Sequence, residues 1–304
     1  MRVLLLLLLI VIGGGNAHWT LRLRHRRLLT VDTSLMNQQA SALCDLGASI
    51  SSLSNNQTTP KGTWASSISD SSCPTYGGSG PPAWCAWVGV NCSTGYLVSA
   101  LTITNQAAAG PRFGTLPTSL GNLAAALSSL SITQTSALYG PVPTSLTLLT
   151  ALKSLTFANL PSLNGSLPQG LRGLTGLKSI SLGTLPALRG TISTSLTLLS
   201  SLQTILLDNV GATFSVPGSM SALSKLQFVS WVNLPVRSYG TLPGDWSTSL
   251  TRLEIRNAPL YGSIPASLSA LTALKQLTLR DMQALSGTIP RCGGGRCAHA
   301  RPAP

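Results

Sequence analysis

The sequence predicts an α/β repeat solenoid, with a parallel β-sheet on its concave face and short helical or 3₁₀ returns on its convex side. The first observation is a repeat. Leu152 to Pro168 reads LKSLTFANLPSLNGSLP, and it returns one period later, from Leu177 to Ser193, as LKSISLGTLPALRGTIS. Apolar residues hold the first, fourth and sixth places of each copy, ahead of a turn and a Gly-x-apolar-Pro step. The frame begins at Val98, Leu127, Leu152, Leu177, Leu202, Leu226, Leu250 and Leu274, so successive starts lie 29, 25, 25, 25, 24, 24 and 24 residues apart. Leu-x-x-Leu-x-Leu at a fixed period in the twenties is the sequence form of a leucine-rich solenoid. The second observation is composition: charged residues are 9% and aromatics 5% of 304, so the chain depends on buried aliphatic rows rather than ion pairs. One repeat buries about six apolar side chains at roughly 1.5–3 kcal/mol each. Chain entropy consumes most of that, so neighbouring repeats must stack.

Residues 1–17 carry Arg2, an apolar run from Val3 to Ile12 and the small-residue end Gly15-Asn16-Ala17. That is the pattern of a secretory signal peptide, with a core too short for a comfortable membrane span. Residues 18–31 are a basic, mobile segment holding Arg22, Arg24, Arg26 and Arg27. An uncleaved leader is the rival reading of this end. The net charge of +13 is concentrated there and at Arg291, Arg296 and Arg301, with twelve basic residues scattered between Lys61 and Arg280. No basic run is interleaved with aromatics, which excludes nucleic acid as the expected partner. A basic exported protein suits an anionic matrix or glycan layer.

Residues 32–97 form an amino-terminal cap. Asp32-Thr33-Ser34 can start a helix, and Leu43, Leu46, Ile50 and Leu53 follow at helical spacing. A polar, loop-rich stretch from Ser54 to Pro82 contains Trp64 and Cys73, and then comes CAWVGVNC, Cys85 to Cys92. A helix, a Trp and Cys-x-Trp-x-Gly-Val-x-Cys before the first repeat resemble the cap of plant-type leucine-rich repeat proteins. These include receptor-like kinase ectodomains, polygalacturonase inhibitors and the promastigote surface antigens of kinetoplastids. The resemblance implies a Cys85–Cys92 disulfide that helps seal the open end of the core.

Residues 98–290 hold about eight repeats of 24–25 residues. Their turn signal recurs at Gly114, Gly140, Gly165, Gly240, Gly262 and Gly287, each followed two or three residues on by an apolar residue and proline; Gly190 and Phe214 open degenerate copies. Glycine permits the tight backbone and proline stops the strand. The Gly-x-Ile/Leu-Pro step is similar to the plant-type repeat, and the shortened copy Leu242-Pro-Gly-Asp-Trp246 is similar to the kinetoplastid antigens. One departure stands out. The ninth place, where the common repeat carries asparagine, is apolar at Leu160, Leu185, Val210, Leu234, Ala258 and Met282. The polar residue sits one place earlier, at Asn105, Gln134, Asn159, Thr184, Asn209, Asn233, Asn257 and Asp281. Strand parity points the eighth place inward as a polar ladder, whereas turn chemistry makes these residues turn formers. Both readings stand at this point.

Residues 291–304, RCGGGRCAHARPAP, read as an irregular tail. Either Cys292 and Cys297 close a small plug or the chain is truncated, and truncation is preferred. The remaining cysteines pair by locality, Cys44 with Cys73 and Cys292 with Cys297, as expected for an exported chain. Asn56, Asn91 and Asn164 head N-glycosylation sequons.

Enzymatic chemistry is not expected, nor a cofactor or metal. His18, His25 and His299 all lie outside the repeats, so the serines of the body lack a base, and the seven acidic residues form no convincing pair. Binding remains. Places three, five and seven of each strand face away from the core. Early repeats fill them with Ser129, Ser131, Thr133, Ser154, Thr156, Ser179 and Ser181; later ones carry Asp208, Phe228, Val232, Arg252, Glu254, Arg256 and Arg280. These seven later residues are the candidate ligand-binding patch, for a protein, peptide or glycan. The expected function is extracellular recognition, secreted or at the cell surface. The resemblance offers a secreted inhibitor of foreign hydrolases as the alternative, and a structural coat component is the third. Membrane association is expected only through an uncleaved leader or a missing carboxy terminus.

Overall fold

A computed structural model describes residues 33–51, 82–87, 89–104, 114–135, 138–192, 194–214, 216–235, 240–282, 284–287 and 300–301. The chain divides into Met1–Thr30, outside the described residues, and a unit from Val31 to Pro304. The expected leader and basic segment, Asn56, Cys73, Cys292 and Cys297 also lie outside the described residues.

The second unit is a leucine-rich repeat solenoid built on a ten-stranded sheet. Its strands, in spatial order, are β1 (Val90–Cys92), β2 (Val98–Thr104), β3 (Ser129–Thr133), β4 (Ser154–Ala158), β5 (Ser179–Leu185), β6 (Thr204–Val210), β7 (Phe228–Val232), β8 (Arg252–Arg256), β9 (Gln276–Arg280) and β10 (Ala300–Arg301). β1 runs antiparallel to β2, and every later pair is parallel. A constant repeat length brings the same place of each repeat into register, so side chains form straight rows across the sheet. One inward row is Leu101, Leu130, Leu155, Ile180, Ile205, Val229, Leu253 and Leu277; the other is Ile103, Ile132, Phe157, Leu182, Leu207, Trp231, Ile255 and Leu279. All sixteen are buried. The tail expected to be irregular contributes a strand, since Ala300 and Arg301 pair with Leu279 and Arg280.

On the opposite side, 3₁₀ turns span Thr118–Leu123, Thr144–Leu148, Gln169–Gly173, Thr194–Leu198 and Ala266–Ala270. Pro117, Pro143, Pro168 and Pro265 immediately precede four of them, with φ between −60° and −73°. Proline ends the short convex strand and presets the backbone for the turn. Leu120, Leu146, Leu171 and Leu268 then anchor these turns to the core. The repeats around Gly218 and Gly244 lack the 3₁₀ turn and join instead through an isolated parallel bridge, Ser219 to Asp245.

The eighth place is settled in favour of the turn. Gln134, Asn159, Thr184, Asn209, Asn233, Asn257 and Asp281 all have left-handed φ, between 47° and 56°. Six of these are exposed and Thr184 is half-buried, so the inward polar ladder is overturned. The reason is geometric. A left-handed residue breaks strand alternation, turning the eighth side chain out and the ninth in. Leu160, Leu185, Val210, Leu234, Ala258 and Met282 are accordingly buried. Asparagine and aspartate tolerate this region better than most residues.

At the amino-terminal end, the helix α1 (Thr33–Ser51) lays Met36, Ala40, Leu43 and Leu46 against the first coil. Trp84 and Trp87 complete the cover, and Cys85 is joined to Cys92 with Cα atoms 5.6 Å apart. Cys44 is disulfide-bonded as well. Gln39 on α1 is fully buried, and its Oε1 accepts the Val98 amide at 3.0 Å, tying helix to sheet at the start of β2. Gln39→Leu keeps the volume and removes the acceptor, leaving a buried N–H unpaired. Denaturant unfolding is expected to show a loss of about 1–3 kcal/mol.

Candidate functional site

The outward rows of the sheet make the candidate face. Row one runs Ala100, Ser129, Ser154, Ser179, Thr204, Phe228, Arg252, Gln276. Row two runs Thr102, Ser131, Thr156, Ser181, Leu206, Ser230, Glu254, Thr278, and row three Thr104, Thr133, Ala158, Gly183, Asp208, Val232, Arg256, Arg280. From β3 to β5 the face is therefore small and mostly hydroxylated. From β6 onward it grows and becomes charged. Neighbouring strands are about 4.8 Å apart, which makes the later side chains contiguous.

All seven predicted patch residues lie on β6 to β9, and the structure pairs them in particular ways. Phe228 and Arg252 are partners in register, and the guanidinium carbon sits 5.0 Å from the ring centroid. Such a cation–π contact is worth about 0.5–1 kcal/mol when exposed, and it places the guanidinium over the ring. Two residues along β8, Arg256 forms an ion pair with Glu254; their side chains are 44% and 16% exposed. Exposed pairs of this kind contribute about 0.2–1 kcal/mol, so this one orders the two groups more than it stabilises the fold. Val232 is half-buried between Asp208 and Arg256 in row three.

Asp208 is less available than its sequence position implies. Its Oδ1 accepts from Asn233 Nδ2 at 2.9 Å, and Asn233 Oδ1 accepts from Asn257 Nδ2 at 3.0 Å. This exposed amide chain laces the ends of β6, β7 and β8 along the rim. Its direction follows from chemistry, because a carboxylate only accepts and fixes which way each amide turns. Sequence reasoning weighed Asn233 and Asn257 as an inward polar ladder or as turn formers, and not as links in a chain across the rim. It also missed Ser230, Gln276 and Thr278, which counting the frame through the last repeats would have found. The register of Arg301 beside Arg280 carried no repeat signal.

The sequon residues Asn91 and Asn164 are both exposed, on β1 and on the convex strand Leu163–Asn164, away from the candidate patch. An open, uncharged depression between α1 and the first 3₁₀ turn is lined by Ser34, Asn37, Gln38, Ser41 and Asn122. Among the described residues no three His, Cys, Asp or Glu side chains cluster as metal ligands, and no helix is long and apolar enough to cross a membrane.

No protein-family model matches the sequence, and no curated protein matches it. Solved structures do resemble it. The leucine-rich repeat ectodomain of the plant membrane receptor kinase GASSHO1/SCHENGEN3 from Arabidopsis thaliana, in complex with CASPARIAN STRIP INTEGRITY FACTOR 2, aligns with TM-score 0.53 and 24% identity. The match covers 81% of this chain and 30% of that one. The ectodomain of the Arabidopsis receptor kinase HAESA, in complex with an extended IDA peptide hormone, aligns with TM-score 0.52 and 24% identity over 86% of this chain and 44% of that one. The chain thus spans less than half the length of either neighbour, and the likeness establishes the shared fold.

Proposed function

We propose that the protein is an extracellular recognition module, without enzymatic activity, whose concave face binds a protein, peptide or glycan. The observation that carries this reading is the change along one continuous sheet. Short hydroxyls on β3 to β5 give way to Phe228, Arg252, Glu254, Arg256 and Arg280 on β7 to β9, adjacent in register and held by a cation–π contact and an ion pair. An aromatic and arginines fixed beside acids have the makeup of an interface anchor. The two neighbours add support by analogy, since one was solved in complex with CASPARIAN STRIP INTEGRITY FACTOR 2 and the other with a peptide hormone. The leader-like residues 1–17 and the disulfides agree with export.

Charge reversal tests it. With labelled, purified protein, the double change Arg252→Glu and Arg256→Glu is expected to cut binding to intact cell surfaces or matrix of the source organism by at least tenfold, at unchanged thermal stability. Unchanged binding would remove the concave face from consideration. Slowing of polysaccharide hydrolases by the purified protein, lost in the same variant, would specify the inhibitor role.

A further inference from the structure

We infer that the carboxy-terminal end of the concave sheet binds a linear acidic polysaccharide; this rests on the concave-face reading and narrows its partner. The starting point is row three. On β8, β9 and β10, three consecutive strands, it holds Arg256, Arg280 and Arg301 directly opposite one another. Like charges opposed across a sheet destabilise it. Glu254 answers Arg256 from the same strand, and Asp281 follows Arg280 on the rim. Among the described residues, no acid occupies the row position on either side of Arg280. With Arg252 in row one, strands β8 to β10 and their rim carry four arginines against two acids. The excess positive charge is exposed at Arg252, Arg256 and Arg280, on a rigid scaffold. Such an arrangement is relieved by an anionic partner.

Spacing selects the class. The arginine positions repeat once per strand, about every 4.8 Å across the sheet. An extended peptide presents side chains on one face only at every second residue, about 6.8 Å apart, and falls out of step with the row. A linear polymer with an acidic group on every sugar ring repeats its charge about once per strand spacing, since a pyranose ring is close to that length. Its uncharged parts also find partners. Ser230, Thr278 and Gln276 flank the arginines, and the hydroxyl rows of β3 to β5 extend the same face. Hydroxyl and amide groups match sugar hydroxyls as donors and acceptors.

The full chain, purified as secreted, can be titrated with polygalacturonate, dextran sulfate, neutral dextran and poly-glutamate at several salt concentrations. The expected result is binding to one or both acidic polysaccharides, weakening steeply with salt, with neutral dextran inert and poly-glutamate at least tenfold weaker. Arg280→Gln should weaken that binding about tenfold, and Arg256→Gln with Arg280→Gln further, while replacing Arg22, Arg24, Arg26 and Arg27 by Gln leaves at least half of the affinity. Equal binding of neutral dextran or poly-glutamate overturns the proposal, as does affinity that resides in the four amino-terminal arginines. Ser181→Trp, a bulky obstacle on the hydroxyl half of the face, separates this from the broader reading. If Ser181→Trp abolishes binding and Arg280→Gln does not, the concave face survives and the arginine row fails. If neither variant matters and both melt normally, both readings fall.

Discussion

Gly211→Ala is expected to destabilise the protein by about 3 kcal/mol, far more than one methyl group ordinarily does. Gly211 follows β6, and its amide donates to the carbonyl oxygen of Leu185 at 2.9 Å. A Cβ added there would press on the Pro186 carbonyl oxygen and come within 2.8 Å of the Leu188 carbonyl oxygen. Both obstacles are backbone, so no rotamer change makes room. The residue is needed for close approach of two coils, since its φ lies outside the left-handed region. Overpacking of this kind costs about 1–3 kcal/mol, and the hydrogen bond to Leu185 is strained with it. At about 2–4 °C per kcal/mol for a domain of this size, the melting temperature should fall by roughly 6–12 °C. Gly173→Ala is the control. Its Cβ would meet nothing within 4 Å, and its φ is ordinary, so its melting temperature should stay level or rise slightly. Equal effects from the two changes would show that close coil contact is not what Gly211 supplies.

That contrast also marks how far the sequence could be read. The strand rows were legible because a fixed period forces register, and register decides which side chains meet. Phe228 beside Arg252, and Arg256 beside Arg280, follow from counting alone. The rim was not legible. Alternation predicts that Asn233 and Asn257 point inward, and only a left-handed backbone at the eighth place reverses this. Propensity permits that conformation without requiring it, so two readings stayed open. Asp208 likewise looked free, and its bond to Asn233 depends on that reversed side chain. Gln39 gave no signal at all, because a glutamine on a helix is ordinarily solvated; its role arises only when α1 meets β2, 59 residues along the chain. Ala300–Arg301 escaped notice for a related reason, as a two-residue strand outside the repeat frame has no period to betray it.

The second large effect is expected beneath the candidate patch, at Trp231. It is fully buried in the inward row between Leu207 and Ile255, directly between the outward residues Ser230 and Val232. Its ring lies 5.8 Å from that of Trp246, at 39°. Trp246 belongs to the shortened repeat, where the convex 3₁₀ turn is missing, and it is itself buried. Trp231→Ala should cost about 3–5 kcal/mol through lost burial and a cavity the neighbouring coils cannot close. Trp231→Phe should cost less, because the same row already accommodates Phe157 on β4, three strands earlier in the sheet. A double-mutant cycle with Trp246→Ala should give a coupling of about 0.5–1.5 kcal/mol for the ring pair; a coupling near zero would mean the two rings fill space independently. The consequence reaches the face above. Phe228 and Val232 ride on the same strand as Trp231, and Arg252 is held by Phe228. A hole under β7 frees that strand to shift against β8, so Trp231→Ala should also weaken binding at the patch although no ligand touches the tryptophan. If the alanine variant melts early yet binds with unchanged affinity at low temperature, the patch does not depend on a rigid floor.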